Sequence, residues 1–362
     1  MPNSLRADLR ILWAIASKDI TDAIQNKTTL SIMLGVGVMM LVGMALPLLL
    51  GLRSTPVAVV YDPARSTLIR GLTARSEFGL RLVDSQEELE SAVAGSVQLA
   101  LGIVIPAGFR QAEGSGGQIE MDGYLAHWAD PNKAAELVSF FEGELGKASW
   151  QTVRIHVQGH TVYPSPEPGG QPFLLAMNLT ILLLVVGLAL VPNLLIEEKE
   201  THTFEALLVS PARFSQVVAG KALAGVFYCL CAAVVVYLFN IRWIVHWEIA
   251  VLAFLFGAAL AVAAGLLVGI LFENPATVNL WVALLVMLLL VPMLLAKLST
   301  KLPEVVRAIV PWMPSVAISN LVGFSMVGAV PATSVWLNAG ILAVESLVLY
   351  ALVVWRVRRS DR

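Results

Sequence analysis

The chain has 362 residues, of which 57% are hydrophobic and 14% are charged, and its mean hydropathy is +0.76. Soluble domains carry roughly 25% charged residues, so this composition excludes an ordinary soluble enzyme and a disordered chain. The net charge of −2 carries no basic signal for nucleic-acid binding. The two cysteines, Cys229 and Cys231, lie in one apolar run and cannot form a disulfide framework. The composition indicates a membrane protein.

The first 28 residues predict an amphipathic helix that lies in the inner membrane interface and contacts lipid. One face of this helix carries Leu5, Leu9, Leu12, Trp13, Ala16 and Ile20, and the polar side chains of Arg6, Arg10, Asp19 and Asp22 lie largely elsewhere.

Six apolar runs are long enough to cross a bilayer core of about 30 Å as helices. They are Thr29–Leu52, Phe173–Ile196, Ala222–Asn240, Ile249–Phe272, Val278–Ala296 and Thr333–Trp355. The first is too long for the apolar core of a signal peptide, so it predicts an uncleaved anchor. Lysine and arginine concentrate in the N-terminal stretch, in the loop after the second run and in residues 356–362. Basic residues favour the cytoplasmic side, which predicts that both termini are cytoplasmic.

A seventh apolar stretch, Ala308–Val330, offers an alternative topology with seven spans. A seventh span would place the basic C-terminal tail outside, and Pro311 and Pro314 would break its helix early. Residues 303–331 are therefore predicted to form a half-inserted, re-entrant or surface-lying helical hairpin on the outer side.

Residues 53–172 carry 23 of the chain's 50 charges in one third of its length, which predicts a water-soluble domain outside the membrane. Strands are predicted at Val57–Tyr61, Leu80–Val83, Leu99–Ile105 and Gln118–Tyr124. A capping box at Ser85 predicts a helix through Ala94, and Asp130-Pro131 predicts a helix toward Trp150. Gly159–Pro172 is interpreted as the linker back to the membrane. The histidines at 127, 156 and 160 lack the spacing of metal ligands.

A charged segment follows the second span. Its polar residues and the apolar residues between them predict a short helix over residues 197–210, parallel to the membrane, that offers a partly apolar face to a cytoplasmic partner. The candidate contact residues are Glu197, Glu198, Lys199, Glu200, Thr203, Glu205, Leu208, Ser210 and Pro211. The alternative interpretation is an ordinary solvated loop.

This segment resembles the corresponding stretch of ABC type-2 permease subunits. The resemblance rests on the acidic-basic run Glu197–Glu200, then Thr203, Glu205, Leu207-Leu208, Ser210-Pro211 and finally Gly220-Lys221. His202 departs from the pattern, because the family has glycine there. The outer domain, with Ile105-Pro106-Ala107-Gly108-Phe109, is similar to that of the long-loop branch, which includes multidrug and sodium exporter permeases. The likeness in organisation covers the whole chain.

The resemblance implies an α-helical membrane protein of the inner cell membrane with six transmembrane helices. It also implies an α/β extracytoplasmic domain inserted between helices 1 and 2. Such permeases dimerise, with a second copy or a paralogue, and bind two cytoplasmic ATPase subunits through the coupling helix and the N-terminal helix. No cofactor is expected on this chain, and ATP and magnesium are expected on the partner ATPase. Consistent with this, the only site that resembles a phosphate loop, Ala219–Ala222, lacks the preceding glycine and the final hydroxyl.

Glu345 is the only acidic or basic side chain within the six runs. A carboxylate at that depth costs several kcal/mol unless it is paired, protonated or hydrated. It is therefore a candidate contact for a proton, a cation or a substrate. The alternative is a helix-packing residue that is hydrogen-bonded to Asn178, Asn193 or Asn338.

The leading hypothesis is the permease subunit of an ABC exporter that moves a lipid, a hydrophobic drug or a similar substrate, with sodium as an alternative cargo. A second hypothesis is a membrane-anchored sensor or assembly factor that binds a ligand through its outer domain. A membrane enzyme ranks third, because no catalytic constellation is found near a membrane face.

Overall fold

The structure is a computed structural model that describes residues 2–25, 34–35, 37–38, 55–64, 66, 78–96, 98–106, 118–163, 170–200, 214–297 and 303–360. The described residues fall into two units. The helical unit holds those of Met1–Val42, Leu175–Ser325 and Val330–Arg362, and the α/β unit holds those of Gly43–Leu174 and Met326–Ala329.

The α/β unit is built on a mixed sheet with strand order β2-β1-β3-β4-β5. Its elements in chain order are β1 (Val57–Tyr61), β2 (Gly79–Val83), α2 (Gln86–Ala94), β3 (Ala100–Val104), β4 (Gln118–Ala126), α3 (Pro131–Ser149), β5 (Thr152–His156) and β6 (Thr161–Val162). β1 pairs in parallel with both β2 and β3, and β3 pairs antiparallel with β4. β5 and β6 both pair in parallel with β4, at successive positions along that strand.

Alternate side chains of the strands build two separate cores, one on each face of the sheet. On one face, Phe141 and Leu145 of α3 pack against Ile103 and Met121. On the other face, Leu89 and Val93 of α2 pack against the remaining strand residues. The sheet is thus the middle layer between two helices, which is why its central strands are apolar on both sides.

Both predicted helix starts in this unit are confirmed. The Ser85 hydroxyl accepts a hydrogen bond from the backbone N–H of Glu88 at 3.1 Å. The Asp130 carboxylate accepts from the backbone N–H of Asn132 at 3.0 Å, with Pro131 in the first helical turn. These side chains satisfy amides that a helix leaves unpaired at its N-terminus.

The predicted linker over 159–172 is wrong at its start, because Thr161 and Val162 form β6 on the edge of β4. β5 was also missing from the predicted strands. Its alternating pattern covers only five residues, and the backbone N–H of Ile155 is held at 2.8 Å by the side chain of Glu142 on α3. Such edge pairings depend on tertiary contacts rather than on local sequence.

The helical unit begins with α1 (Pro2–Gln25), which confirms the predicted N-terminal helix. Its other elements are α4 (Gly170–Val185), a π-helical turn (Val186–Leu190), α5 (Val191–Glu200), α6 (Phe214–Phe239), α7 (Trp247–Leu271), α8 (Pro275–Lys297), α9 (Glu304–Ile309), α10 (Pro314–Phe324) and α11 (Ala332–Ser360).

Among the described residues, five helical stretches are long and apolar enough to cross a membrane, and they correspond to five of the six predicted spans. The predicted first span, Thr29–Leu52, lies almost entirely outside the described residues. Residues Glu304–Trp312 and Pro314–Phe324 form a helix pair bent by 69°, which is either a broken span or a re-entrant loop. This bend lies within the predicted hairpin at 303–331 and falls where Pro311 and Pro314 interrupt the helix.

The second span, 170–200, packs closely on α7 through small residues. A Cβ built on Gly187, in the π-helical turn, would lie 2.5 Å from the Cβ of Ala261. A Cβ on Gly265 would collide with the Gly187 carbonyl oxygen, and one on Gly269 would lie 2.8 Å from Leu195. In lipid, where apolar burial adds little, small residues let helix backbones approach and gain van der Waals contact. Four residues at intervals of four, Gly257, Ala261, Gly265 and Gly269, form this stripe on α7.

Candidate functional site

The predicted coupling segment is described only at its beginning. Residues 197–200 are the last turn of α5 and so continue the helix of the second span, rather than opening a separate helix as predicted. Helical propensity explains this, because Glu and Lys extend a helix readily. The side chains of Glu197, Glu198, Lys199 and Glu200 lie outside the described residues, as do Thr203, Glu205, Leu208, Ser210 and Pro211 entirely.

A buried lysine lies where the two flanks of this segment meet. Lys221, in the second turn of α6, has a side chain that is only 1% exposed. Its ammonium nitrogen Nζ lies 3.3 Å from Oδ2 of Asp19 on α1, and it donates a hydrogen bond of 2.8 Å to the carbonyl oxygen of Leu194 on α5. One side chain therefore joins α1, α5 and α6. We call Asp19, Leu194 and Lys221 the Lys221 junction.

Tyr228 adds a second polar contact between α6 and α1. It lies seven residues after Lys221, two turns along the same face of α6. Its hydroxyl lies 3.1 Å from the carbonyl oxygen of Asp19 and 3.2 Å from that of Ile20, to which it can donate. The aspartate is thus held at both its side chain and its backbone.

Gly220 explains how α1 comes close enough for these contacts. A Cβ at this position would lie 2.7 Å from Cγ2 of Ile15 and 2.9 Å from its Cβ. Any larger residue would push α1 away from α6 and lengthen the ion pair. The Gly220-Lys221 pair thus has a physical explanation. The glycine lets α1 approach α6 closely, and the lysine binds Asp19 on α1.

The electrostatics of the Lys221 junction make these contacts interdependent. The Asp19 side chain is 6% exposed, so neither charge can be solvated by bulk water. A charge buried without a partner is very unfavourable, whereas a buried pair with further hydrogen bonds is tolerated. Loss of either side chain would therefore leave the other charge buried and uncompensated.

Asp19 is the residue that sequence reasoning placed wrongly. It was expected away from the apolar face of α1 and in contact with the surroundings, but it is buried, with its carboxylate 3.3 Å from Lys221 on α6. The apolar residues of the helix predicted lipid contact on one side. The ion pair with Lys221 instead places the polar residue Asp19 against α6. Neither Asp19 nor Lys221 carried a local signal for the pair, because a lysine at the mouth of a span ordinarily faces water or lipid headgroups.

Glu345 lies inside α11, and its Oε2 is buried with no hydrogen-bond partner among the described residues. The partners suggested by the sequence are engaged elsewhere. Asn193 donates to the Ala189 carbonyl at 2.6 Å, and Asn338 is bonded to Asn320 at 3.1 Å. Asn338 is seven residues from Glu345, about 10 Å along the helix axis, which is too far for a direct bond. For Asn178, which lies partly buried on α4, no bond to Glu345 is found.

The sequence comparison identifies the family. A profile of ABC-2 family transporter proteins matches residues 27–355 of the chain. The chain belongs to the ABC-2 transporter family. A search among curated proteins found no match.

For an ABC-2 transporter component, the position of the Lys221 junction is informative. The chain leaves the junction at Leu194, passes through the charged segment, and returns to it at Lys221. Leu194 and Lys221 are 27 positions apart in the sequence, and their hydrogen bond joins the helices on the two sides of the charged segment. Lys221 therefore joins these two helices to each other and binds α1 as well.

The α/β unit of this ABC-2 protein contains two stacked pairs of rings. His160 stacks on Tyr124 with centroids 4.8 Å apart, and His127 stacks on Tyr163 at 5.1 Å. Burial, assisted by the carboxylates of Glu90 and Asp122, raises the pKa of the Tyr124 phenol. Among the described residues, no group of three or more His, Cys, Asp and Glu side chains could hold a metal ion. These histidines pack against tyrosines.

Proposed function

We propose that this ABC-2 protein is the membrane-spanning permease subunit of an ATP-binding-cassette exporter in the inner membrane, and that a separate subunit hydrolyses ATP. The observation that carries the proposal is the Lys221 junction at the base of a charged segment in a chain of this family. An ATPase that moved the segment would act directly on the ends of two spans, because the span helices continue without a break into the segment's flanks.

The finer features of the proposal follow from the sequence. Both termini and the charged segment face the cytoplasm, since lysine and arginine concentrate there, and the α/β domain lies outside. A second permease copy or a paralogue completes the complex. The cargo is a lipid, a hydrophobic drug or a similar molecule, or sodium in the alternative.

Co-purification tests the requirement for an ATPase. A tagged permease extracted with its neighbours should retain a phosphate-loop ATPase, and Glu197→Lys combined with Glu205→Lys should reduce the bound ATPase at least about tenfold, because charge reversal repels the same partner surface. The matched control reverses two exposed acids of the outer domain, Glu87→Lys and Glu136→Lys, and should retain the ATPase.

A stable permease without any ATPase would contradict the proposal and favour a membrane-anchored sensor or assembly factor. Reconstitution then separates the cargo classes. Stimulation of the ATPase rate by sodium but not by potassium supports a sodium exporter, whereas stimulation by hydrophobic compounds in either salt supports a lipid or drug exporter.

Glu345→Gln tests the intramembrane carboxylate. The substitution keeps the shape of the side chain but removes its ability to ionise, so assembly of the complex should be unchanged. Cargo-stimulated ATPase activity should fall about tenfold where the Glu345 carboxylate binds the cargo or a proton. The measurement is the ATPase rate of the reconstituted complex, with and without the stimulating cargo. Ser346→Ala is the control, because the neighbouring hydroxyl is buried and has no hydrogen-bond partner in the part of the chain that the structure describes. Unchanged stimulation in Glu345→Gln would assign the glutamate to helix packing.

A further inference from the structure

We propose that the Asp19–Lys221 ion pair is a positioning element that makes the N-terminal helix move as one body with the two span ends beside the charged segment. The inference rests on the proposed function, since it concerns movement driven by a partner ATPase. It adds a specific pair of residues, Asp19 and Lys221, through which that movement reaches α1.

The first step is the continuity of the helices. Glu200 ends α5 only six residues after Leu194, and Phe214 begins α6 only seven residues before Lys221. At about 1.5 Å per residue, each flank of the segment lies about 9–10 Å from the junction along a helix axis. A helix transmits displacement along its axis, so movement at either flank reaches Leu194 or Lys221 with little loss.

The second step is that polar contacts fix the position of α1 along α6. α1 packs extensively against α6, and the Asp19–Lys221 ion pair and the Tyr228 hydroxyl are polar contacts within that packed surface. Apolar contacts are less directional than polar ones, because dispersion has no strong directional preference. The ion pair adds a directional restraint, since separating the charges by even one helical turn would bury both without partners.

The third step concerns the choice of charged residues. A buried ion pair is often no more stabilising than apolar side chains of the same size, so fold stability alone does not require one here. What the pair adds is a single register of α1 along α6. Lys221 reaches the Asp19 carboxylate and the Leu194 carbonyl together only when all three helices hold one relative position.

The test removes the charges without leaving either one unpaired. The double variant Asp19→Leu/Lys221→Met replaces the pair by apolar side chains of similar size and is expected to fold and to bind the ATPase. Thr21→Val, at an exposed site on α1, is the matched control. In a background with Cys229 and Cys231 replaced by alanine, spin labels are placed at exposed positions 13 on α1, 223 on α6 and 271 at the end of α7.

Two label distances are then measured in the ATPase complex, with and without ATP and vanadate. In the parent and in Thr21→Val, the 13–223 distance should stay constant while the 13–271 distance shifts with nucleotide. In the double variant, the 13–223 distribution should broaden or shift, and the nucleotide-dependent shift of 13–271 should be lost. Lys221→Arg, which keeps the charge, should retain at least part of that shift.

The outcomes separate the two proposals. If the double variant binds the ATPase and α1 still follows nucleotide as in the parent, the inference is wrong and the proposed function stands. If no ATPase is found with the parent protein, both are overturned. If the double variant does not accumulate, Asp19→Ala/Lys221→Leu, which also removes both charges, replaces it in the same measurements, with the same expected loss and the same overturning result.

Discussion

Replacing Gly265 by leucine is expected to abolish the accumulation of folded protein, and Gly265→Ala is expected to lower the midpoint of thermal unfolding. The position allows the backbones of α7 and of the second span to approach, and a Cβ there would collide with the Gly187 carbonyl oxygen. Backbone atoms cannot move aside as a flexible side chain can. Overpacking of this kind costs about 1–3 kcal/mol for small insertions, and a leucine adds four carbon atoms at the collision.

The measurement is the midpoint of thermal unfolding in detergent, followed by the monodisperse fraction in size-exclusion chromatography. Gly340→Ala on α11 is the matched control, since a Cβ at Gly340 would meet no heavy atom of the described residues within 4 Å apart from its own helical turn. Alanine is a better helix former than glycine, so this control should be as stable as the parent or slightly more stable. A Gly265→Ala protein as stable as the parent would show that the close approach of the two spans is not required.

Lys221→Met alone is expected to lower the free energy of unfolding by about 3–5 kcal/mol, because it leaves the Asp19 carboxylate buried without its partner. Asp19→Leu alone should have a similar effect through the unpaired ammonium. The double variant should recover most of the loss, since it contains neither charge. A double-mutant cycle on the unfolding midpoints in detergent therefore measures the coupling between the two residues.

Arg81→Met in the α/β unit provides the contrast. The Arg81 guanidinium is 3.9 Å from Glu88, and the two side chains are 62% and 47% exposed. Exposed ion pairs are worth about 0–1 kcal/mol, so this substitution should change stability little. If Lys221→Met were no more destabilising than Arg81→Met, the Asp19–Lys221 contact would not act as a buried ion pair.

Local patterns in the sequence predicted much of the fold. Five apolar runs become helices long enough to span, because a helix satisfies its own backbone hydrogen bonds and needs only apolar side chains over about 20 residues. The strands β1 and β3 and the helix starts at Ser85 and Asp130 were predicted for the same reason. Their signals lie within a few residues of each other.

The errors occurred where a residue's role depends on distant parts of the chain. β6 was taken for linker because Thr161 and Val162 carry no pattern of their own, and the strand exists only through its pairing with β4. The exception is Glu197–Glu200, which were expected to open a new helix but extend α5 because of their own helical propensity. The sequence suggested asparagine partners for Glu345. Helix geometry places Asn338 too far along α11 for a direct bond, and Asn338 is already hydrogen-bonded to Asn320.

The sequence by itself determined that this is a membrane protein with a charged domain in residues 53–172, because composition and hydrophobic periodicity depend only on neighbouring residues. Its family followed from motifs that resemble those of ABC-2 permeases and from the family profile. The tertiary structure alone decided how the charged segment is anchored. Asp19 and Lys221 are 202 positions apart, and each looks like an ordinary surface charge in its own stretch of sequence. Only the close approach that Gly220 permits brings them together, and burial then makes each charge dependent on the other.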